Sequence, residues 1–242
     1  MRWLWLLGLC GCDILFQLNP VPLHDASPDT PTVDPGLVAY YPMDTVGAQL
    51  AGCMPDALGG EAGNCVGGTP VLATGVRGRA YTFDGTNRVQ LADTAAFDTA
   101  SFTVAIWYQL ASAPNGNYKC PINRIYGTEA DDAWQVCLFD AQIYTKFGLA
   151  AVYAPVIPDV GAWHHLALTY DASSTSWTYW LDGLGLTSGT GTPILDKTQP
   201  IVLGTDLDVG TVGSPFDGLL DDLRFYDRAL TANEIMALVL QR

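Results

Sequence analysis

The sequence has few basic residues and very few glutamates. Eleven lysines and arginines face 25 acidic residues, which gives a formal net charge of −14, and nucleic-acid phosphates repel such a chain. Three of the acids are glutamates, Glu61, Glu129 and Glu234. The others are aspartates, which favour turns over helix interiors. We therefore exclude nucleic-acid binding and expect few helices.

The N-terminal apolar run is too short for a transmembrane helix. It covers Trp3 to Leu9 and is closed by Asp13, whereas a bilayer core needs about 20 apolar residues. Together with the following Cys10-Gly11-Cys12, the run resembles a bacterial lipoprotein signal peptide. Cys12 follows the small residue Gly11 and is the predicted lipidation site, because the Leu9 before Cys10 is bulky. A plain secretory signal is the alternative.

The segment after the signal is rich in proline and polar residues. It carries Pro20, Pro22, Pro28, Pro31 and Pro35, and this composition cannot close a core. We predict a signal peptide over residues 1–11, a disordered tether over 12–35 and one folded domain over 36–242. The protein is then expected to be exported and anchored by lipid to the bacterial cell envelope, with the inner or outer membrane left open.

The folded part contains enough apolar residues for a core and enough turn residues for many short strands. Hydrophobic residues make up 49% of the chain and charged residues 15%, with 25 glycines and 15 prolines, so we predict an all-β domain. Residues 80–91 are predicted to form a hairpin around Asp84-Gly85, and 147–152 a strand. The glycine-rich residues 46–75 are predicted to form a long loop.

Two other segments have clear periodicity. Residues 101–110 alternate so that apolar side chains lie on both faces, which predicts a strand covered on each side. Thr231 and Glu234 form a capping-box pattern that predicts one C-terminal helix. Ile235, Leu238 and Val239 have the spacing of its apolar face.

Four cysteines lie in the folded part, an even number for an exported chain. They allow three pairings, of which the local ones, Cys53 with Cys65 and Cys120 with Cys137, are expected. A zinc site is disfavoured because no pair has the two-residue spacing of a zinc knuckle.

Six sequence blocks appear in the order typical of one family. They are Tyr40–Asp44, Gly75–Gly85, Phe102–Trp107, Trp163–Asp171, Leu181–Gly183 and Leu219–Thr231. This pattern resembles the laminin-G-like, concanavalin A-like jelly roll of bacterial exported proteins. The resemblance implies a sandwich of two antiparallel sheets with a short C-terminal helix. It leaves function open, because such domains serve as carbohydrate-binding modules, adhesive modules and accessory domains of enzymes.

The sequence offers no carboxylate pair for sugar hydrolysis, so we expect no catalysis. A retaining glycosidase needs two carboxyl groups about 5 to 5.5 Å apart, and the glutamates are far apart in sequence. The resemblance implies instead a calcium site where the terminal strands meet. The candidate ligands are Asp44, Asp84, Asp221 and Asp222; the alternative is that these aspartates cap turns and satisfy backbone donors.

Aromatic side chains in the mid-chain loops are candidates for sugar contacts, because pyranose rings stack on aromatic faces. The candidates are Tyr118, Tyr126, Trp134 and Tyr144. We predict a non-catalytic envelope module that binds polysaccharide or glycoconjugate. The alternative is a structural or adhesive protein whose partner is another envelope protein.

Overall fold

The computed structural model describes residues 35–47, 52–126, 131–156, 159–194, 199–208 and 211–241. The predicted signal peptide, nearly all of the tether and the proposed lipidation site Cys12 lie outside these residues. No helix in the described ranges is long and apolar enough to cross a membrane.

Strands dominate the described chain, and a single α-helix follows them. The strands are β1 (Leu37–Tyr41), β2 (Asn64–Val66), β3 (Val71–Thr74), β4 (Arg79–Asp84), β5 (Arg88–Leu91), β6 (Phe102–Leu110), β7 (Lys119–Tyr126), β8 (Asp131–Phe139), β9 (Gln142–Phe147), β10 (Ala150–Pro155), β11 (Trp163–Asp171), β12 (Ser176–Leu181), β13 (Leu184–Thr190), β14 (Ile201–Leu203), β15 (Asp206–Asp208), β16 (Thr211–Gly213) and β17 (Asp217–Tyr226). The helix α1 covers Ala232–Leu240.

Two antiparallel sheets form the sandwich, as predicted. The eight-stranded sheet has the order β13-β12-β11-β6-β17-β4-β3, with β1 also paired to β17. The seven-stranded sheet has the order β10-β9-β8-β7-β14-β5-β2. The short hairpin of β15 and β16 stands apart from both. Neighbours that are distant in sequence, such as β6 and β17, give the jelly-roll topology.

Alternation along the strands places the core between the sheets. In β6, Phe102, Val104, Ile106 and Tyr108 all face the shared core, because side chains two residues apart lie on the same face of a strand. Ala105, between them, faces the opposite way and belongs to a second apolar cluster with residues of α1. Both faces of this strand are therefore covered, as the sequence predicted.

The capping box that the sequence predicted begins α1. The Thr231 hydroxyl accepts a hydrogen bond from the Glu234 amide, and the Glu234 carboxylate accepts one from the Thr231 amide. Ile235, Leu238 and Val239 are buried on the inner side of the helix. The spacing of these residues predicted this face.

Three local predictions are wrong. Residues 80–91 do not form a hairpin, because β4 belongs to the eight-stranded sheet and β5 to the other, so Asp84-Gly85 carries the chain between sheets. The predicted strand over 147–152 is broken by a turn at Gly148. The glycine-rich stretch before residue 75 was predicted as a loop, yet it contains β2 and β3.

Candidate functional site

Polar and aromatic side chains gather on the outer face of the seven-stranded sheet. On β8, Val136 and Leu138 face the core, which turns Gln135 and Cys137 outward. On the neighbouring β9 the same alternation turns Tyr144 and Lys146 outward. One strand pair therefore builds both the core and the floor of a surface site.

Three tyrosines surround this floor. Tyr118 precedes β7, while Tyr144 and Tyr153 face each other across β9 and β10. The ring centroids of Tyr118 and Tyr144 are 5.6 Å apart and those of Tyr144 and Tyr153 are 4.9 Å apart. The hydroxyl oxygens of Tyr118 and Tyr153 lie 2.5 Å apart. This hydrogen bond, helped by burial, raises the pKa of Tyr118 to about 12.

A cavity of about 210 Å³ opens among these rings. Its lining consists of Tyr118, Asp132, Gln135, Cys137, Tyr144, Lys146, Tyr153, Asp206 and Ser214. We call it the tyrosine cavity. The β15–β16 hairpin supplies Asp206, whose Oδ1 accepts a hydrogen bond of 2.6 Å from Asn123 Nδ2. Rings with apolar faces and fixed polar groups thus share one small concave surface.

A larger cleft of about 630 Å³ adjoins the tyrosine cavity. The Asp84-Gly85 turn, the loop from Ser112 to Lys119 and the segment from Ser214 to Asp217 line it. Tyr118 and Ser214 line both spaces, so the cavity and the cleft are two parts of one groove. We refer to the two together as the groove.

Hydrogen bonds and an ion pair fix the loop that walls the cleft. Lys119 is buried, and its Nζ donates to the Ser112 carbonyl at 2.9 Å, to the Ser112 hydroxyl at 2.6 Å and to the Asp217 carboxylate. The Gly116 amide donates to Asp140 Oδ1 at 2.7 Å. The wall is therefore held in place from both of its sides.

Both disulfides expected from the sequence are formed. Cys120 and Cys137 join β7 to β8, and Cys137 lies in the floor of the tyrosine cavity. Cys53 and Cys65 close the glycine-rich loop. The first bridge lies at the groove, and the second links the segment at Cys53 to strand β2, which contains Cys65.

The four aromatic candidates for sugar contacts have different positions in the structure. Tyr118 and Tyr144 line the tyrosine cavity. Trp134 is 3% exposed and packs in the core, so its prediction as an exposed sugar platform is wrong: it stands one residue out of phase with the outward-facing Gln135. The side chain of Tyr126 lies outside the described residues.

Four polar residues of the cavity were not predicted from the sequence. Asp132, Gln135, Lys146 and Asp206 had not been named as ligand contacts. For Gln135 a signal was present, because it is a polar residue between two apolar ones in a strand. For Lys146 the signal was weaker, because the polar Thr145 precedes it. For Asp206 there was none, because a separate hairpin brings it to the cavity from about 60 residues away in the chain.

The four candidate calcium ligands do not form one group. Asp44 Oδ1 accepts from the Arg79 amide at 2.6 Å, and Asp221 Oδ2 accepts from the Val76 and Arg77 amides at 2.8 and 3.2 Å. These two aspartates hold opposite ends of the loop between β3 and β4. Across the described residues, no cluster of three or more His, Cys, Asp or Glu side chains could hold a metal ion.

The other two candidates have different surroundings. Asp84 caps its own turn, accepting from the Thr86 amide and hydroxyl at 2.8 and 2.7 Å, and the hydroxyl bond lowers its pKa. In the register of β4 and β17, Asp84 lies opposite Asp217. Asp217 is four residues, or about 13 Å of strand, from Asp221, so Asp84 is far from the Asp221 carboxylate. Asp222 is ion-paired with Arg224 at 3.1 Å. Asp84 thus caps a turn, which was the alternative to a calcium ligand in the sequence analysis.

Asp221 is the unusual member of the set. It is fully buried, and its Oδ1 has no hydrogen-bond partner among the described residues. Burial, together with the nearby charges of Asp222 and Asp44, raises its pKa to about 8.

The fold and the comparisons place the chain in a family. A profile of the concanavalin A-like lectin/glucanases superfamily matches residues 83–236, and the chain belongs to this superfamily. It is 24% identical over 145 residues to neuronal pentraxin-2 of Mus musculus, and this match covers 56% of the chain and 33% of that protein. The chain thus spans at most a third of the curated relatives it matches.

Solved structures resemble the chain at low identity. Domain 4 of an extracellular arabinanase from Geobacillus stearothermophilus, solved with arabinotriose, has a TM-score of 0.63 and 22% identity and covers 84% of this chain and 98% of that one. Trypanosoma rangeli sialidase, solved with the inhibitor DANA, has a TM-score of 0.63 and 15% identity and covers 86% and 33%. At these identities the likeness establishes the fold alone.

Proposed function

We propose that the protein is a non-catalytic module that binds polysaccharide or glycoconjugate in the groove. The observation that carries the proposal is the tyrosine cavity, where three tyrosine rings meet around fixed polar groups. Aromatic faces suit the C–H faces of a sugar ring, and neighbouring amide, hydroxyl and carboxyl groups suit its hydroxyls. The arabinanase domain solved with arabinotriose supports the same use of this fold.

A direct binding screen tests this proposal. The protein, produced with its disulfides formed, would be applied to a glycan array and then titrated with the best ligands by calorimetry. We expect binding to a related set of glycans and no release of reducing ends on prolonged incubation. If folded protein binds no glycan, the adhesive alternative with a protein partner replaces this proposal; if reducing ends accumulate, the non-catalytic part is wrong.

Calcium enters the proposal as a structural ion. Asp221 Oδ1 is buried and has no hydrogen-bond partner in the described part of the chain, and the charges of Asp222 and Asp44 both help to raise the pKa of this carboxyl group. Carboxylate oxygens are ligands of the kind that Ca²⁺ prefers. Asp44 and Asp221 would hold the ion and so fix the loop between β3 and β4 to the last strand. Neither residue lines the groove, so the ion would stabilise the fold without contacting the glycan.

Thermal unfolding with calcium and with a chelator tests this part. Calcium at about 100 times its dissociation constant adds about 2.7 kcal/mol to the free energy of unfolding. Asp221→Asn should abolish the response, while Asp84→Asn, the matched control, should keep it. An unfolding temperature that is equal in calcium and chelator would remove calcium from the proposal.

Attachment to the cell envelope is the last part of the proposal. It rests on the sequence pattern around Cys12, with the proline-rich residues 13–35 as the spacer between lipid and domain. When the protein is expressed in a bacterium with labelled palmitate, Cys12→Ser should lose the label and Cys10→Ser should keep it. Label that persists in Cys12→Ser would contradict this assignment.

A further inference from the structure

Acidic residues outnumber basic ones in the groove. The tyrosine cavity contains Asp132 and Asp206 against Lys146. The cleft contains Asp84 and Asp217 against Lys119. Lys119 and Asp217 form an ion pair, so the excess acid of the cleft lining is Asp84. Asp84 keeps a lowered pKa because the Thr86 hydroxyl donates to it, so its carboxyl is ionised at neutral pH.

The acids of the inner cavity are mostly removed from water. Asp132 is 3% and Asp206 is 9% exposed. Interactions between charges are stronger at such partly buried positions than at the open surface, because solvent screens them less. A carboxylate or sulfate of a ligand placed here would therefore meet like charge, while an amine or a hydroxyl would meet acceptors.

The shape of the groove indicates a ligand longer than one sugar. The inner cavity, at about 210 Å³, is smaller than the roughly 300–1,000 Å³ of typical ligand pockets. The cleft beyond it, at about 630 Å³, falls within that range. Because Tyr118 and Ser214 border both spaces, a chain with one unit in the cavity can continue along the cleft.

We propose that the groove selects extended oligosaccharide segments built from neutral or amino-sugar units and rejects uronate, sialylated and sulfated glycans. This inference rests on the proposed glycan-binding function and adds to it the charge class and the length of the ligand. Tyr118 lies where the cavity meets the cleft. It would therefore contact both the sugar unit in the cavity and the next unit in the cleft.

The test is a matched panel of oligosaccharides titrated against the full chain by calorimetry. The panel contains neutral tetramers of hexose and of N-acetylglucosamine, the de-acetylated glucosamine tetramer, and uronate, sialylated and sulfated tetramers, with the corresponding monosaccharides. We expect at least one neutral or amino-sugar tetramer to bind tenfold or more tightly than every anionic one. We also expect it to bind tenfold or more tightly than its own monosaccharide.

Isosteric variants then assign the selectivity to the groove. Asp206→Asn keeps an acceptor for Asn123 but removes a charge, and it should weaken binding of the glucosamine tetramer three- to tenfold while changing that of neutral tetramers less than twofold. Asp159→Asn removes an exposed acid outside the groove. It should change the affinity neither for the glucosamine tetramer nor for the neutral tetramers. Circular dichroism and thermal unfolding establish that each variant is folded.

The outcomes separate this inference from the function on which it rests. Anionic tetramers that bind as tightly as neutral ones would overturn the charge selectivity and leave glycan binding in place. A monosaccharide that binds as tightly as its tetramer would overturn the extended site. Folded protein that binds no member of the panel or of the wider array would overturn both the function and this inference.

Discussion

The outer faces of the two sheets differ in what covers them. The outer face of the eight-stranded sheet is closed by α1, whose Ile235 and Leu238 pack on Ala105 and Ala167. The outer face of the seven-stranded sheet carries instead the tyrosine cavity and the adjoining cleft. Small apolar residues at outward positions leave room for a helix, whereas tyrosines and acids at the equivalent positions leave a concave polar surface. One sandwich thus has one outer face that is closed by a helix and another that carries an open groove.

Charged groups also behave differently on the two faces. On the helix-covered face, the Arg224 guanidinium is ion-paired with Asp222 at 3.1 Å and donates to Gln241 Oε1 at 3.1 Å. The same guanidinium lies 4.7 Å from the centre of the Tyr40 ring. In the groove, by contrast, acids and tyrosine side chains line open space. On the first face Arg224 and Asp222 neutralise each other beneath the helix, whereas the second face carries the groove in which we propose that a glycan binds.

The largest expected effect is a loss of stability on the helix-covered face that leaves glycan binding in the groove unchanged. Ile235 is fully buried, and Ile235→Ala should lower the free energy of unfolding by about 2–5 kcal/mol, because it removes apolar contacts and leaves a cavity. Urea unfolding measures the change. Leu240→Ala, on the same helix but 71% exposed, is the control and should cost less than about 0.5 kcal/mol. Glycan affinity should not change in folded Ile235→Ala; a tenfold loss would show that the faces are coupled.

The second effect is a pH dependence that arises on the helix-covered side. Burial lowers the pKa of His165 to about 4, whereas the unfolded chain binds this proton near pH 6.5. Between these values the unfolded chain holds more protons, so the free energy of unfolding should fall by at most about 3 kcal/mol as pH falls from about 6.5 to about 4.

The pKa of the neighbouring His164 is shifted in the opposite direction, so this residue serves as an internal control. The hydrogen bond from His164 Nδ1 to Asp182, at 2.8 Å, raises the pKa of His164. Its stabilising contribution is therefore complete below about pH 6.5 and is lost as pH rises through the folded pKa. NMR titration of the imidazoles, assigned by single substitutions to glutamine, checks both directions. Two histidines that titrate together near pH 6.5 would contradict the prediction.

The two faces were not equally predictable from sequence. The capping box at Thr231 and the period of the apolar residues after it are local signals, and the helix formed where they indicated. The core alternation of β6 was local as well. Such features depend on residues close together in the chain, for which periodicity is informative.

The groove depends instead on contacts that no local pattern contains. Tyr118, Tyr153 and Asp206 meet because β7, β10 and the β15–β16 hairpin come together in the fold. The failed hairpin at Asp84-Gly85 has the same origin, since a turn dipeptide does not tell whether the next strand returns to the same sheet. Trp134 was misassigned because an aromatic residue beside a loop fits a core strand equally well.

The third effect concerns the groove and should be larger on glycan affinity than on stability. Tyr144→Ala removes the ring at the centre of the tyrosine cavity and should weaken glycan binding at least tenfold, because aromatic anchors dominate such contacts. The partly exposed position should cost about 1 kcal/mol of stability. Leu149→Ala, at an exposed turn near the same strands, is the control for calorimetric titration. Unchanged affinity in folded Tyr144→Ala would place the ligand elsewhere.

The smallest expected effect is the loss of stability when the N-cap of α1 is removed. Thr231→Ala removes a hydroxyl that accepts from the Glu234 amide, and losing an N-cap costs about 1 kcal/mol. The Glu234 carboxylate would still bind Arg228 through contacts of 2.7 and 3.0 Å, so α1 should stay docked and glycan affinity should be unchanged. Thr231→Ser, which keeps the hydroxyl, is the control in urea unfolding. If both variants lose the same stability, the methyl group rather than the cap is responsible, and the N-terminal end of α1 is held by packing instead.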